Sequence, residues 1–420
     1  MSAAAHCASG VSPVRSYARS AQIHEALVAY RSFVETRGEG DPDLVAEIAL
    51  ASLKAQCGSR DESARSACFS ALRGLGVRAF DLLDELARRP DVVGDRAAST
   101  RYEMERRDGD PPRRLRDAAA SDDRERRVAG MASLRGRRGR ETLIGWLQSE
   151  DPQLRQAALY ELARSHRHPR ALAAVRQIAL EDPNRVARLG AASTLGSYGA
   201  DAAPTLAALF QQGDPSMRLA VASAWFAVDA EAAEVALREQ LATGDVNSVN
   251  IECARVLASH HDEAAGAFLL RAMSAGRREL RAQAAVTSAM LAGSHADGLA
   301  LALESPDPEV ALRVAATLLR QPEHRGRAAE VLRRLSASLD GFVAVRALAT
   351  LAQRGDPSTL EPLRRALRAP DPSVRRMAVM AWPEALGGGT DCDPIAPLLL
   401  DPDRSVALLA AVEIILIAAR

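Results

Sequence analysis

Aromatic residues are scarce in this sequence. Phe, Trp and Tyr make up 4% of its 420 residues, although hydrophobic residues of all kinds make up 47%. The buried core must therefore be built mainly from Ala, Leu and Val, whose side chains let helices pack closely against one another.

The sequence also lacks an excess of either charge. Its 54 basic residues balance its 54 acidic residues, so the formal net charge is zero. No global attraction toward nucleic acid or an anionic membrane follows from this balance. Lysine is almost absent, since Lys54 is the only one. We interpret this arginine bias as the mark of a GC-rich genome rather than of a function.

Cysteine pairs and long apolar runs are missing as well. The five cysteines are widely spread and form no Cys-x-x-Cys motif: Cys7, Cys57, Cys68, Cys253 and Cys392. We expect buried, reduced thiols and a reducing compartment. No apolar run is long enough to span a bilayer, and the first ten residues do not resemble a secretory signal. The predicted location is cytoplasmic, with the cell envelope as the alternative if a signal or lipoprotein leader was removed.

The motifs of common enzymes are missing too. The sequence contains no Gly-rich phosphate loop, no Gly-x-Ser-x-Gly elbow and no paired-histidine metal motif. Its histidines fall in turns of successive repeats, and helices about 8–10 Å apart hold them too far from one another to share a zinc ion. The sequence therefore predicts no catalytic residues, no metal site and no cofactor, and favours a non-catalytic protein.

A fifteen-residue phrase recurs along most of the chain. Its reference copy runs from Asp182 to Gly196, DPNRVARLGAASTLG. Related phrases begin every 30 to 33 residues, at Asp151, Asp214, Asp245, Gly276, Asp307, Asp340, Asp371 and Asp401. A fixed period of this length indicates stacked structural repeats.

The phrase has the features of a helix that begins at its aspartate. Aspartate is a good N-cap, and the proline after it suits the first helical position. Small or apolar residues follow Arg188 at offsets of three, four and seven, which lie on one helical face. Gly196 then ends the helix, and a second apolar helix begins about a dozen residues later. Each repeat is therefore predicted to be a helical hairpin.

The order Asp-Pro, Arg, then Ala-Ala-x-x-Leu-Gly resembles the HEAT repeats, in particular the short variety first noted in phycobilisome lyases. The resemblance extends from about Asp61 to the end of the sequence. It implies an all-α superhelix, a right-handed HEAT/armadillo-like solenoid of helical hairpins. It also implies that arginines such as Arg155, Arg218 and Arg375 link successive repeats through the capping aspartates. Ala311, Ala344 and Ser405 stand in the arginine position and would interrupt that ladder in the C-terminal half of the sequence.

The resemblance implies a scaffold or adaptor that binds protein partners along the solenoid. The alternative is a HEAT-like enzyme or a nucleic-acid-associated protein, of the lyase or DNA-repair type, that uses an arginine-rich surface. The expected domains are a disordered N-terminus over 1–20, a helical cap over 21–60, irregular repeats with an arginine-rich segment over 61–150, and regular repeats over 151–420.

One segment is strongly basic. Between Pro112 and Arg140 ten arginines face four carboxylates, those of Asp117, Asp122, Asp123 and Glu125. The segment either binds an anion, such as nucleic acid or an acidic protein, or forms a solvated surface paired with its own carboxylates. No aromatic residue interleaves the arginines, so base stacking is missing and nucleic acid is disfavoured as a partner.

Two surfaces are predicted to bind partners. The second helices carry a stripe of arginines in similar positions: Arg176, Arg238, Arg271, Arg334 and Arg365. In the resembling family second helices line the concave surface, so the stripe would suit an acidic peptide or helix. Alternatively, these side chains cover apolar surface and pair with nearby glutamates, among them Glu231, Glu234 and Glu239.

The second predicted surface is the C-terminal helix, from Ser405 to Ile417. It is nearly all apolar and ends in Ile414, Ile415, Leu416 and Ile417, and no second helix follows it in the sequence. The ends of a solenoid normally need a polar cap. We therefore expect an exposed contact face that mediates self-association or binds a partner.

Overall fold

The computed structural model describes residues 10–105, 113–134, 136–165, 168–275, 277–291, 302–338 and 341–420. Throughout these ranges the regular structure is helical, and they contain no strand. This confirms the predicted all-α solenoid class. None of the helices in the described ranges is long and apolar enough to cross a membrane.

The helices are numbered here in chain order. They are α1 Val11–Arg19, α2 Ile23–Arg37, α3 Pro42–Cys57, α4 Glu62–Gly74, α5 Phe80–Leu86, α6 Val92–Glu105, α7 Arg113–Ala119, α8 Arg124–Gly130, α9 Gly136–Trp146, α10 Pro152–Ser165, α11 Pro169–Glu181, α12 Arg185–Leu195, α13 Ala203–Gln212, α14 Pro215–Val228, α15 Ala230–Ala242, α16 Ser248–Ala258, α17 Glu263–Ala272, α18 Arg278–Met290, α19 Pro308–Leu318, α20 Arg325–Ser338, α21 Phe342–Ala352, α22 Leu360–Ala366, α23 Pro372–Ala385 and α24 Arg404–Ala418. Short 3₁₀ helices include Gly196–Ala202 and Ala396–Leu400.

Most Asp-Pro phrases begin helices as predicted. The carboxylate of Asp214 accepts a hydrogen bond from the Met217 amide at 3.0 Å, and that of Asp371 accepts one from the Ser373 amide at 2.8 Å. These caps satisfy amides that have no partner inside the first turn. At the reference phrase and at Asp401 the prediction is wrong by two residues, because Asn184 caps α12 and Asp403 caps α24.

The chain forms two compact units, and neither follows the predicted domain boundaries. Unit 1 contains Met1–Gly109 and Leu332–Arg420, and unit 2 contains Asp110–Val331. The prediction of disorder is wrong for Val11–Arg19, which form α1 with Val14 and Ala18 buried. Residues 1–9 lie outside the described ranges.

Unit 2 is a stack of helical hairpins. Successive first helices α10, α12, α14, α16 and α18 pack side by side, and the second helices α11, α13, α15 and α17 each pack against the next first helix. The small residues at the predicted offsets face this packing: Ala191, Ala192 and Leu195 are fully buried. Short side chains on the crowded face bring the hairpins into contact.

Unit 1 joins the two ends of the sequence. Its core combines residues of α1–α6 with residues of α21–α24. The helix α3 packs along α24 as extensively as any helix pair in the structure, α4 also contacts α24, and α2 contacts the 3₁₀ helix Ala396–Leu400. The C-terminal helix therefore lies among N-terminal helices.

A buried arginine links each of several first helices to the next repeat. Arg155 donates from Nη1 to the Ser149 carbonyl at 2.6 Å, and its Nε lies 2.9 Å from Oδ2 of Asp182. Arg375 reaches Asp401 in the same way, with its Nε 2.7 Å from Oδ2. Each arginine thus ties the turn before its own helix to an acid of the following repeat.

This first-helix ladder continues in part of the chain, as the resemblance implied. Arg281 Nη2 lies 2.9 Å from Oδ2 of Asp307. Arg218 instead donates to Oε1 of Gln240 at 2.9 Å. Gln240 lies on α15, the second helix of the same hairpin, so the implied link to an aspartate of the next repeat is wrong at Arg218.

We expect Arg155→Ala to lower the free energy of unfolding by about 3 kcal/mol, because it leaves the buried Asp182 carboxylate without its guanidinium. Urea unfolding followed by circular dichroism measures the change. The matched control is Arg170→Ala, whose exposed side chain lies 3.3 Å from Glu141 and should contribute at most about 0.5 kcal/mol. Equal losses for the two variants would contradict a structural role for the ladder.

A disulfide joins Cys57, the last residue of α3, to Cys68 in α4. The two Cα atoms are 5.3 Å apart, since the short connection after Gly58 brings α4 back alongside α3. The expectation of reduced thiols is therefore wrong for this pair. Cys253 and Cys392 are free and buried, and burial raises the pKa of each thiol to about 12. Cys7 lies outside the described residues.

Thiol titration of the unfolded chain should find two fewer thiols without reductant than after reduction, because Cys57 and Cys68 are paired. Breaking this short loop should cost on the order of 2–3 kcal/mol of stability. Thermal unfolding with and without dithiothreitol measures the loss. The Cys57→Ser variant should no longer respond to reductant, and a response as large as that of the parent chain would contradict the assignment.

Candidate partner-binding site

The five arginines of the predicted stripe lie on second helices, but they divide between the two units. Arg176, Arg238 and Arg271 belong to unit 2, on α11, α15 and α17, whereas Arg334 and Arg365 belong to unit 1, on α20 and α22. Each unit therefore presents its own part of the predicted surface.

Two arginines of unit 2 link second helices. Arg176 donates to the Asp201 carbonyl of the next hairpin. Arg238 lies 2.9 Å from Oδ2 of Asp262, the N-cap of α17, and 2.6 Å from Glu234 on its own helix. Hydrogen bonding to Asp262 raises the pKa of the Arg238 guanidinium. At Arg238 the structure favours the alternative of pairing with neighbouring carboxylates.

In unit 1, an arginine of one second helix also pairs with an acid near the next, but these arginines are outside the predicted stripe. Arg333 lies 2.8 Å from Oδ2 of Asp356, and Arg364 lies 3.4 Å from Oδ2 of Asp391. Each stands one residue before a predicted stripe arginine. A spacing of 23 to 27 residues between the arginine and the acid of the next turn is the signal that would have found this second-helix ladder.

Arg271 differs from Arg176 and Arg238 because it borders a groove. The groove has a volume of about 800 Å³, and its lining includes Leu270, Met273 and Val310. The Arg271 side chain is exposed at the end of α17. Apolar walls with a cation at the edge can hold a short segment that has both apolar and acidic side chains.

Two further charged groups line this groove. Arg281 is fixed by Asp307, at 2.9 Å from Oδ2. The Glu304 carboxylate lies 3.5 Å from Nη2 of Arg327, so its repulsion of an incoming carboxylate is reduced. In unit 1, Arg334 and Arg365 are exposed on their helices beside the arginines of the second-helix ladder.

The predicted C-terminal contact face is not exposed. Ile414 and Ile417 are fully buried, Ile415 is 7% exposed, and Leu416 is half-buried. The expectation of an open apolar end is therefore wrong, because α3 and α4 cover α24. The helices that cover α24 come from the N-terminal segment and do not follow α24 in the sequence.

Burial also affects one acid on this helix. Burial raises the pKa of Glu413 to about 7, nearby Glu384 adds to the rise, and Arg420 opposes it. An uncharged carboxyl is the form that suits this site.

Because the folded pKa of Glu413 lies above the unfolded value of 4.5, its contribution to stability is complete below pH 4.5 and is lost as the pH rises through about 7. Glu413→Gln should therefore gain stability relative to the parent chain between about pH 5 and pH 8. Melting temperatures across this range provide the measurement. Glu361→Gln, at a side chain 72% exposed, is the control and should show no such trend.

The arginine-rich segment pairs partly with itself. Arg113 lies 3.7 Å from Oδ2 of Asp117, and Arg127 donates to the Asp122 carbonyl at 3.2 Å. These contacts favour a solvated surface paired with neighbouring groups. Residues 106–112 and Arg135 lie outside the described ranges.

Two histidines in the described ranges make contacts that stabilise the fold. Nδ1 of His168 accepts a hydrogen bond from the Arg170 amide at 3.2 Å and caps α11. The His260 ring lies 4.4 Å from the Phe226 ring, between centroids. His166 and His295 lie outside the description. Where side chains are described, no three His, Cys, Asp or Glu residues come together as a metal site would require.

Parts of this chain match a known protein family. The family described as HEAT repeats matches residues 113–196, 140–225 and 328–415. No curated protein sequence is similar enough to count as a match.

Several solved structures are similar at low sequence identity. The complex of CpcE and CpcF of phycocyanin lyase from Nostoc sp. PCC7120 is 18% identical, with 66% of this chain and 94% of that chain covered and a TM-score of 0.29. An engineered protein is 19% identical, with 81% and 99% covered and a TM-score of 0.32. UNC-45 from Drosophila melanogaster is 14% identical, with 96% and 66% covered and a TM-score of 0.28. TM-scores at this level do not indicate a shared function.

The family match and the described hairpins agree with each other. The matched stretches contain the Asp-Pro helix starts at Asp214 and Asp371 and the buried Arg155 and Arg375 links. On this evidence the chain contains HEAT repeats over residues 113–225 and 328–415.

Proposed function

We propose that this protein is a non-catalytic scaffold that binds protein partners along the exposed second helices of its HEAT repeats. We propose further that the groove beside Arg271 receives an acidic, partly apolar peptide or helix. The observation that carries this proposal is the combination of an exposed guanidinium with an apolar groove of about 800 Å³.

The chemistry of the groove supports this class of ligand. The planar guanidinium of Arg271 can bind a carboxylate through two parallel hydrogen bonds. Leu270 is partly exposed and offers apolar surface, whereas Val310 and Met273 line the groove from buried positions. Alternating acidic and apolar side chains on one face of a peptide would meet both kinds of contact.

The ion pairs that link neighbouring hairpins also support a scaffold role. Arg155 and Arg238 are bound within the protein, so they hold neighbouring hairpins in register. A groove between hairpins keeps its shape when its walls are fixed in this way, which lowers the entropic cost of binding. Arg271 then supplies recognition, whereas Arg281 beside it is held by Asp307.

The alternative function, an enzyme or a nucleic-acid-associated protein, has less support. The arginine-rich segment makes the self-pairing contacts of Arg113 and Arg127. Counterion release would give any DNA binding a steep dependence on salt. Duplex DNA therefore serves as a competing ligand in the experiment.

Selection of random peptides on the parent chain, followed by measurement of their affinity for the parent and for Arg271→Glu, tests the groove. We expect the recovered peptides to combine acidic and apolar residues, and their affinity to fall about tenfold or more in Arg271→Glu, because the substitution replaces attraction by repulsion. Fluorescence anisotropy of labelled peptides measures the affinity.

The control is Arg170→Glu, which reverses an exposed arginine on another second helix and should change peptide affinity less than about twofold. Peptides without acidic residues, or equal binding by the parent and Arg271→Glu, would contradict the proposed site. DNA binding that weakens steeply between about 50 and 200 mM salt would favour the alternative function.

A further inference from the structure

The helix α24 begins the last repeat of this sequence, and within the described residues it packs against helices of the N-terminal segment. In unit 2 a second helix stands between consecutive first helices, as α13 does between α12 and α14. In unit 1 the N-terminal helix α3 contacts both α24 and α4. It thus has the neighbours that a second helix has.

We propose that α3 is the second helix of the last repeat. In this arrangement α24 and α3 form a composite repeat made from the two ends of the sequence. The helix α4 is then the first helix of the repeat that comes next, so the repeat register continues from the C-terminal helix into the N-terminal part of unit 1.

An ion pair repeats at equivalent positions across this junction. Arg185, the first residue of α12, lies 3.5 Å from Oδ2 of Asp214, the N-cap of the next first helix α14. Arg404, the first residue of α24, lies 2.7 Å from Oδ2 of Asp61, the N-cap of α4. The helix α4 therefore relates to α24 as α14 relates to α12.

The residues before these two arginines match as well. Asn184 caps α12 and Asp403 caps α24. Two residues earlier, Asp182 and Asp401 each receive the buried arginine of the preceding repeat. Both helices carry the same two-residue offset between the ladder acid and the cap, so the comparison of Arg185 with Arg404 is in register.

Polar contacts hold the start of α3 to the C-terminal segment. The Tyr30 hydroxyl donates to Oδ1 of Asp393 at 2.6 Å and accepts from the amide of Asp41, the N-cap of α3, at 2.9 Å. Gly40 approaches Asp393 so closely that a Cβ there would lie 2.7 Å from both carboxylate oxygens. A larger residue at position 40 would have to displace the Asp393 carboxylate.

Apolar contacts cover the length of the junction. On α3, Val45, Ile48 and Leu53 are fully buried, and on α24, Val406 and Ile414 are fully buried in the same core. The Cys57–Cys68 disulfide holds the end of α3 beside α4. The N-terminal segment therefore acts as a clasp, and its displacement would uncover the apolar face of α24.

Hydrogen exchange of the full chain, followed by mass spectrometry, tests the composite repeat. Ile48→Ala on α3 should accelerate exchange over residues 404–418 by about tenfold or more, since the cavity weakens the helix that covers α24. The matched control is Leu206→Ala on α13, an equally buried residue of a second helix in unit 2. It should leave residues 404–418 unchanged.

Unchanged exchange at 404–418 in Ile48→Ala, with faster exchange confined to α3 and α4, would overturn the proposal. If Ile48→Ala does not fold, Ile48→Val gives the same comparison with a smaller cavity. Light scattering of the parent chain supplies a second criterion. A monomer with protected α24 supports the clasp, whereas a dimer in which α3 is exchanged between copies, shown by cross-linking of isotopically mixed protein, would overturn its intramolecular assignment.

Discussion

The contact between a buried guanidinium and the acid of the next repeat sets the architecture of both units. A helical hairpin of about thirty residues cannot bury its apolar face alone, so it depends on its neighbour. Apolar packing drives that association but leaves its register loosely defined. The Arg155–Asp182 and Arg375–Asp401 pairs fix the register, because a shifted hairpin would leave a buried charge without its partner. The second-helix ladder at Arg238 and Arg333 adds a weaker constraint on the other helices, because these arginines are more than half exposed.

Local features of the fold could be predicted from the sequence because the repeat contains them. The caps, the apolar offsets and the hairpin period depend on residues close together in the chain, and they match the structure at Asp214 and Asp371. The two-residue shift at Asn184 is also present in the sequence, since Arg188 follows Asn184 by the usual four positions. The Asp-Pro pair predicts a cap at Asp182, whereas the arginine spacing fits a cap at Asn184.

Contacts between distant residues could not be predicted in this way. The cover of α24 comes from α3, more than three hundred residues earlier, and no period relates the two helices. The Cys57–Cys68 bridge was missed because neither cysteine belongs to a recognised motif. For the candidate site, the sequence identified the arginines of second helices. It did not separate Arg271, which borders a groove, from Arg176 and Arg238, which bind neighbouring hairpins.

The discontinuous core of unit 1 has a consequence for biosynthesis. During translation α3 leaves the ribosome more than three hundred residues before α24. The hairpins of unit 2 can form while the chain grows, because each needs only its immediate neighbours. The apolar face of α3 must therefore wait until more than three hundred further residues have been made before α24 can cover it. During that interval the exposed face favours misassembly, as transiently exposed apolar surface does in other large chains.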